Sequence, residues 1–157
     1  AFCMKGSLAG EVTREEVLQA TDYVFPSLEI LDTRIFRKDE NTGKMRTVFD
    51  TISDNAANAG VISGVQKNDP QKFDLRRVGS IVMRNNEVEE TGLGAGVLND
   101  PITGIIWLVK RLSEYNQKIS PGEIILSGSF IRPIEARKGD EFYADFGDFG
   151  FVECKFN

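Results

Sequence analysis

The hydrophobic residues of this chain recur mostly at strand-like spacings, and helical spacing is confined to a few segments. The clearest helix begins at Asp100 and Pro101, an N-cap residue followed by proline at the first helical position. Apolar residues then recur every three or four positions as far as Tyr115. A second helix is predicted after Thr13, because Thr13 and Glu16 have the spacing of a capping box.

Two further segments give less regular patterns. Residues 24–31 are apolar except for Ser27 and Glu29, with Pro26 near the start, and this pattern predicts a strand that is buried on both faces. Residues 34–46 are charged and predict a loop. Residues 50–59 predict a short helix that ends at Gly60, followed by an apolar strand from Val61.

The second half of the chain reads as strands and turns. Residues 80–84 and 87–91 predict a hairpin whose turn holds Asn85 and Asn86, a residue type that tolerates left-handed conformations. Further strands are expected in segments 123–127, 141–146 and 151–156. The prediction is one β-rich α+β domain over residues 1–157 with about three helices.

The composition excludes several catalytic mechanisms and metal sites and argues against some classes of partner. The chain has no histidine, which excludes a Ser-His-Asp triad, a Cys-His pair and histidine-ligated zinc among these 157 residues. Its 24 acidic and 19 basic residues give a net charge of −5, so nucleic acid and anionic membranes are not expected partners. The longest apolar run, residues 105–109, is too short for a membrane span. The remaining functional groups are carboxylates, hydroxyls, backbone amides and the side chains of lysine and arginine. If a metal is used, a hard ion such as magnesium is expected.

The two cysteines, Cys3 and Cys154, lie near opposite ends of the chain in strand-like apolar segments. Two isolated cysteines cannot form a zinc knuckle or a disulfide scaffold. We expect two reduced, packed thiols in a cytoplasmic protein.

Glu29 is the most informative residue, because its apolar neighbours predict burial. A buried ionised carboxylate is costly unless it is paired or bound to a cation. Metal ligation and an ion pair with Arg34 or another arginine are equally good explanations from the residues alone. A single glutamate does not hold magnesium tightly, so other carboxylates would have to contribute.

Gly92, Gly94 and Gly96 form a glycine-rich stretch that invites a nucleotide-binding interpretation. Their spacing differs from the dinucleotide fingerprint, and residues 97–100 separate them from the helix that begins at Pro101. The glycines are better explained by a close approach of two backbone segments.

Residues 127–130 interrupt the strands with the polar segment Ser127-Gly128-Ser129. This break is either a simple turn or a loop whose amides and hydroxyl face the oxygens of a ligand. Arg132 follows closely; it is either a solvated arginine or a clamp for a carboxylate. For the polar residues of segment 50–60, a well-capped helix is favoured over a helix that lines a pocket.

Four segments together, residues 48–60, 90–98, 124–133 and 136–140, resemble the hydratases of meta-cleavage pathways within the fumarylacetoacetate hydrolase superfamily. The resemblance runs through the whole chain. It implies a mixed-sheet β-roll and a divalent metal, Mg²⁺ or Mn²⁺, held by three carboxylates, the third of which matches Glu29. The other two, in a Glu-x-Glu pair, and the proton-transfer residues would lie upstream of Ala1. The chain is therefore expected to be a catalytic-domain fragment that is inactive alone.

The resemblance also implies the reaction, the addition of water to a 2-hydroxy-2,4-dienoate that carries a second carboxylate. Arg132 is the candidate for the distal carboxylate, because relatives that act on the monocarboxylate lack an arginine there. Gly128 and Ser129 are candidates for holding substrate oxygens. The family implies a homo-oligomer and allows a complex with a sister decarboxylase. Alternatives are a 4-oxalocrotonate-type decarboxylase, an acylpyruvate hydrolase, or a truncated, non-catalytic subunit.

Overall fold

A computed structural model describes all residues from Ala1 to Asn157. The chain forms two compact units, one made of Ala1–Ser27 with Ser63–Asn157 and the other of Leu28–Ile62. The α+β class is confirmed, as is the number of helices. The helices are α1 (Arg14–Ala20), α2 (Val48–Ser53) and α3 (Pro101–Ser113). The strands are β1 (Phe2–Met4), β2 (Thr21–Val24), β3 (Ser27–Leu31), β4 (Asn58–Ser63), β5 (Gly79–Arg84), β6 (Glu87–Leu93), β7 (Ile124–Ile125), β8 (Glu141–Asp145) and β9 (Phe151–Lys155).

The larger unit has its core where helices α1 and α3 pack with the three-stranded sheet β2-β1-β7. The capping box of Thr13 and Glu16 is present at the start of α1, and Asp100 caps α3 through the amide of Ile102. Both helix starts are therefore confirmed, although α3 ends at Ser113 and not at Tyr115. Ile102, Ile105 and Val109 of its apolar stripe are fully buried and Ile106 and Leu112 are partly buried, so the helical spacing marks the face that packs on the core. No helix of the chain combines the length and apolar character that a membrane crossing requires.

A four-stranded antiparallel sheet in the order β6-β5-β8-β9 completes the larger unit. The predicted hairpin is confirmed, since β5 and β6 pair directly and are joined by Asn85 and Asn86. These two residues have φ values of 54° and 67°, the left-handed geometry that asparagine tolerates best among non-glycine residues.

The cysteines are free and half-buried. Cys3 lies on β1 and Cys154 on β9, and burial raises the pKa of the Cys154 thiol.

The smaller unit contains the two-stranded sheet β3-β4 and helix α2. The prediction of one buried strand over 24–31 is wrong. Strand β2 ends at Val24, Pro26 lies in the gap, and β3 alternates between half-buried and exposed residues. The two-stranded sheet β3-β4 is not covered on both faces, since Leu31 is 47 % exposed.

The predicted helix over 50–59 is also wrong in its bounds. Helix α2 begins after the cap residue Thr47 and ends at Ser53, and β4 already begins at Asn58. Between them, residues 55–57 have positive φ values of 51°, 53° and 64°. An α-helix cannot pass through three left-handed residues, so the chain turns sharply there. Thr47 and Asp50 form a capping box that the sequence interpretation did not identify.

Candidate functional site

Glu29 is exposed at the middle of β3, so the expectation that it is buried is wrong. Its neighbours are apolar but belong to a two-stranded sheet, where Leu31 is 47 % exposed. The Nδ2 amide of Asn58 donates a hydrogen bond of 2.7 Å to Oε1 of Glu29. Glu29 forms no ion pair with Arg34 or with any other cation, so the ion-pair explanation of this residue is excluded.

Arg34 instead binds Asp54, the one buried carboxylate of the smaller unit, which is 4 % exposed. The backbone amide and Nε of Arg34 both donate to this carboxylate, and the Thr33 hydroxyl donates to it at 3.1 Å. The far end of the guanidinium donates to the carbonyl oxygens of Asp54 and Asn58. These contacts join the segment after β3 to the start of β4.

The Arg34 guanidinium holds the pKa of Asp54 below its usual value of 3.8. Because the pKa of Asp54 is lower in the folded than in the unfolded protein, the ionised carboxylate stabilises the fold at a pH above its unfolded-state pKa. This stabilisation is lost as the pH falls through its folded-state pKa. We expect the wild type to lose thermal stability as the pH is lowered from 5 to well below 3.8, the usual pKa of this carboxyl. An Asp54→Asn variant should be less stable at pH 7 and should lose less over this interval. Calorimetric midpoints across the interval measure the difference.

Asp32→Asn is the matched control for this prediction, because Asp32 is a carboxylate of the same unit that binds no arginine. An Asp54→Asn variant whose midpoint falls with pH as steeply as that of the wild type would contradict the assignment.

The second candidate region is the loop of residues 127–132 in the larger unit. Gly128 has a φ of 122°, which a side chain rarely adopts, and Ser129 is exposed. The Ser129 hydroxyl donates to the carbonyl of Ile131 at 2.9 Å and accepts from its amide, so it serves the local turn. The N–H groups of Gly128 and Ser129 donate to no protein acceptor. The amides of this loop are therefore free for ligand oxygens, whereas the hydroxyl is already engaged.

Glycines of three neighbouring segments fit tightly against this loop. A Cβ atom at Gly92 would lie 2.2 Å from the carbonyl oxygen of Phe130, and one at Gly96 would lie 3.3 Å from the Phe130 Cβ. A Cβ atom at Gly104 on α3 would lie 2.9 Å from the carbonyl oxygen of Ser127. The prediction that the glycine-rich stretch allows two backbones to approach closely is confirmed. The loop is consequently held by backbone packing on more than one side.

Arg132 is 84 % exposed and forms an ion pair with Glu90 of β6, which is 17 % exposed. Nε donates to Oε1 of Glu90 at 2.9 Å, and Nη2 donates to the same oxygen. A guanidinium has two edges that can bind a carboxylate, one formed by Nε and Nη2 and one by Nη1 and Nη2. Glu90 uses the first edge, and the second remains available for another carboxylate.

The structure places Gly128, Ser129 and Arg132 in one segment of the larger unit, whereas Glu29 belongs to the smaller unit. No group of three or more Asp, Glu, His or Cys side chains is arranged to share a metal ion. The carboxylate of Glu29 fits a hard divalent cation as one oxygen donor, but these residues do not provide a complete ligand set.

Two partners of the candidate residues were not found from sequence, Asn58 for Glu29 and Glu90 for Arg132. They lie 29 and 42 residues away along the chain from the side chains that they bind. No local pattern indicates such pairs. Two open, polar cavities of about 420 and 510 Å³ lie elsewhere in the larger unit and contain none of the candidate residues.

Comparison with known proteins gives strong matches along the whole chain. It is 48 % identical over 157 residues to 2-oxo-hept-4-ene-1,7-dioate hydratase of Escherichia coli. This match covers 99 % of this chain and 59 % of the relative. It is 37 % identical over 143 residues to 2-hydroxyhexa-2,4-dienoate hydratase of Comamonas testosteroni, covering 90 % of this chain and 52 % of the relative. The chain thus spans between half and three-fifths of the length of these relatives. No family model matches it.

Among solved structures, the fold matches 4-oxalocrotonate decarboxylase from Pseudomonas putida G7, complexed with magnesium and adipate. The TM-score is 0.89 at 29 % sequence identity, and the match covers 99 % of this chain and 57 % of the decarboxylase.

Proposed function

We propose that this chain, which belongs to the hydratase and decarboxylase branch of the fumarylacetoacetate hydrolase superfamily, is the catalytic-domain part of a metal-dependent hydratase. The observation that carries the proposal is the 48 % identity to the E. coli hydratase across 99 % of the chain. The substrate would be a 2-hydroxy-2,4-dienoate with a second, distal carboxylate, and the product a 4-hydroxy-2-oxo acid. Because the chain spans 59 % of that relative, the activity is proposed for the full-length protein.

The reaction fits the residues that the chain offers. When the enol of the substrate becomes a ketone, a proton moves to C5 and the remaining double bond joins C3 to C4. Water then adds at C4, the electrophilic end of this unsaturated ketone. No covalent nucleophile is needed, which is compatible with the absence of histidine from the chain.

A divalent cation, Mg²⁺ or Mn²⁺, would stabilise negative charge on the C2 oxygen during this change. We propose Glu29 as one of its oxygen ligands. Support comes from the exposed carboxylate without an ion-pair partner and from the neighbouring decarboxylase structure, which is complexed with magnesium. The remaining ligands and the groups that transfer protons would come from outside these 157 residues.

Arg132 is proposed to bind the distal carboxylate through its Nη1 and Nη2 edge, and the free amides of Gly128 and Ser129 are proposed to hold substrate oxygens. Support comes from the exposed guanidinium and from the tight backbone packing around the loop. The decarboxylase neighbour is complexed with adipate, which is itself a dicarboxylate. We further propose a cytoplasmic homo-oligomer that has a sister decarboxylase as its partner.

The test uses the full-length protein with Mg²⁺ and the seven-carbon dienoate diacid. We expect the absorbance of the conjugated dienoate to disappear and the product to gain the mass of one water, without release of carbon dioxide. In parallel, 4-oxalocrotonate is supplied and carbon dioxide is measured. Release of carbon dioxide without hydration of the diacid would replace the hydratase by a decarboxylase. Cleavage of a carbon–carbon bond in an acylpyruvate would indicate the hydrolase.

A further inference from the structure

The contact between Asn58 and Glu29 links the proposed metal ligand to the next strand. Asn58 is the first residue of β4 and is half-buried, and its Nδ2 atom lies 2.7 Å from Oε1 of Glu29. The second oxygen, Oε2, accepts no hydrogen bond from the protein. The carboxylate is therefore held at one oxygen and open at the other.

The position of Asn58 is fixed by the buried contacts of the smaller unit. Both terminal nitrogens of the Arg34 guanidinium donate to its carbonyl oxygen at 3.3 Å, while the same guanidinium binds the buried carboxylate of Asp54. Residues 55–57, all left-handed, lead directly into it. Non-glycine residues hold this backbone geometry only where surrounding contacts stabilise it, and Arg34 and Asp54 provide such contacts.

We infer that Asn58 is a positioning residue, which fixes Oε1 of Glu29 so that Oε2 is presented to the divalent cation. The inference rests on the proposed function, since it takes Glu29 to be a metal ligand. A neutral amide suits this role better than an arginine, because it orients the carboxylate without neutralising the charge that attracts the cation. Partners that hydrogen-bond to metal ligands typically change metal affinity by about 10- to 100-fold when they are removed.

The experiment measures Mn²⁺ binding to the full-length protein by electron paramagnetic resonance, without substrate. We expect Asn58→Ala to weaken binding by about 10-fold, with little change in the unfolding midpoint of the metal-free protein. Asn58→Val, which also lacks the donor but suits a strand, should show the same loss and covers the case in which the alanine variant folds poorly. Asn41→Ala, in an exposed loop of the same unit, is the control and should bind Mn²⁺ as the wild type does.

Glu29→Gln and the double variant Glu29→Gln/Asn58→Ala separate this inference from the proposed function. If Asn58 acts through Glu29, the double variant should bind Mn²⁺ no more weakly than Glu29→Gln alone. Unchanged binding in Glu29→Gln would remove Glu29 from the metal site and overturn both proposals. Two results would overturn the role of Asn58 alone, provided that Glu29→Gln weakens Mn²⁺ binding. One is wild-type binding in both Asn58 variants, and the other is an additive loss of affinity in the double variant.

Discussion

Replacing Gly92 with alanine is expected to destabilise the protein by about 3 kcal/mol, the upper part of the usual range for overpacking. The added Cβ would lie 2.2 Å from the carbonyl oxygen of Phe130 and 2.8 Å from an atom of its ring. A backbone oxygen cannot move aside as the end of a flexible side chain can, so the loop of residues 127–132 must shift as a whole. For a chain of this size we expect the unfolding midpoint to fall by about 6–12 °C.

Gly79→Ala is the matched control, because Gly79 lies on β5 in the same sheet and opposite Leu93. A Cβ atom there would meet its nearest neighbour at 3.4 Å, which is ordinary contact. The control variant should stay within about 1 kcal/mol of the wild type. The displaced loop in Gly92→Ala should also raise the KM of the full-length enzyme for the diacid. Equal midpoints for the two variants in differential scanning calorimetry would show that the two backbones do not approach as closely as described.

The glycine-rich stretch illustrates what local sequence could establish. Its spacing disfavoured a dinucleotide loop and favoured a close approach of two backbone segments, and the structure confirms this close approach. The sequence also correctly predicted the N-caps of α1 and α3 and the asparagine turn between β5 and β6. For the caps and the turn the signal lies within a few residues, because both depend on local backbone geometry. The glycines indicated a close backbone approach but not its partner, Phe130, which is distant in the sequence.

The wrong predictions concern features that depend on contacts with residues distant in the sequence. The apolar residues around Glu29 predicted a buried strand, but an apolar pattern cannot tell how many layers cover a sheet. Of the left-handed residues 55–57 only Asn55 is of a type that tolerates this geometry, and Ala56 and Ala57 gave no indication that the helix stops before them. Contacts from Arg34 and Asp54 hold this turn, and these residues are 20 positions apart in the chain.

The environment of Arg132 changes how its proposed role must be understood. From the sequence, Arg132 was expected to be either a solvated arginine or a residue that binds a carboxylate. In the structure its guanidinium binds the carboxylate of Glu90. An exposed ion pair of this kind contributes only about 0–1 kcal/mol to stability. Its more important consequence is orientational, since a side chain that is 84 % exposed would otherwise sample many rotamers. Glu90 thus limits the directions in which the free edge of the guanidinium can point.

Arg132→Ala is expected to lower kcat/KM of the full-length enzyme for the diacid by about 5- to 150-fold, the loss of about 1–3 kcal/mol that a charged hydrogen bond contributes. The monocarboxylate dienoate has no distal carboxylate, so its kcat/KM should change by less than about 2-fold on the same argument. Arg137→Ala is the control, because Arg137 is also an exposed arginine paired with a glutamate, Glu135. Arg132→Lys should recover only part of the loss, since an ammonium group keeps the charge but lacks the two-nitrogen edge. An equal loss for both substrates would mean that Arg132 maintains the loop and does not select the diacid. The ratio of the two kcat/KM values therefore decides whether the edge left free by Glu90 binds substrate.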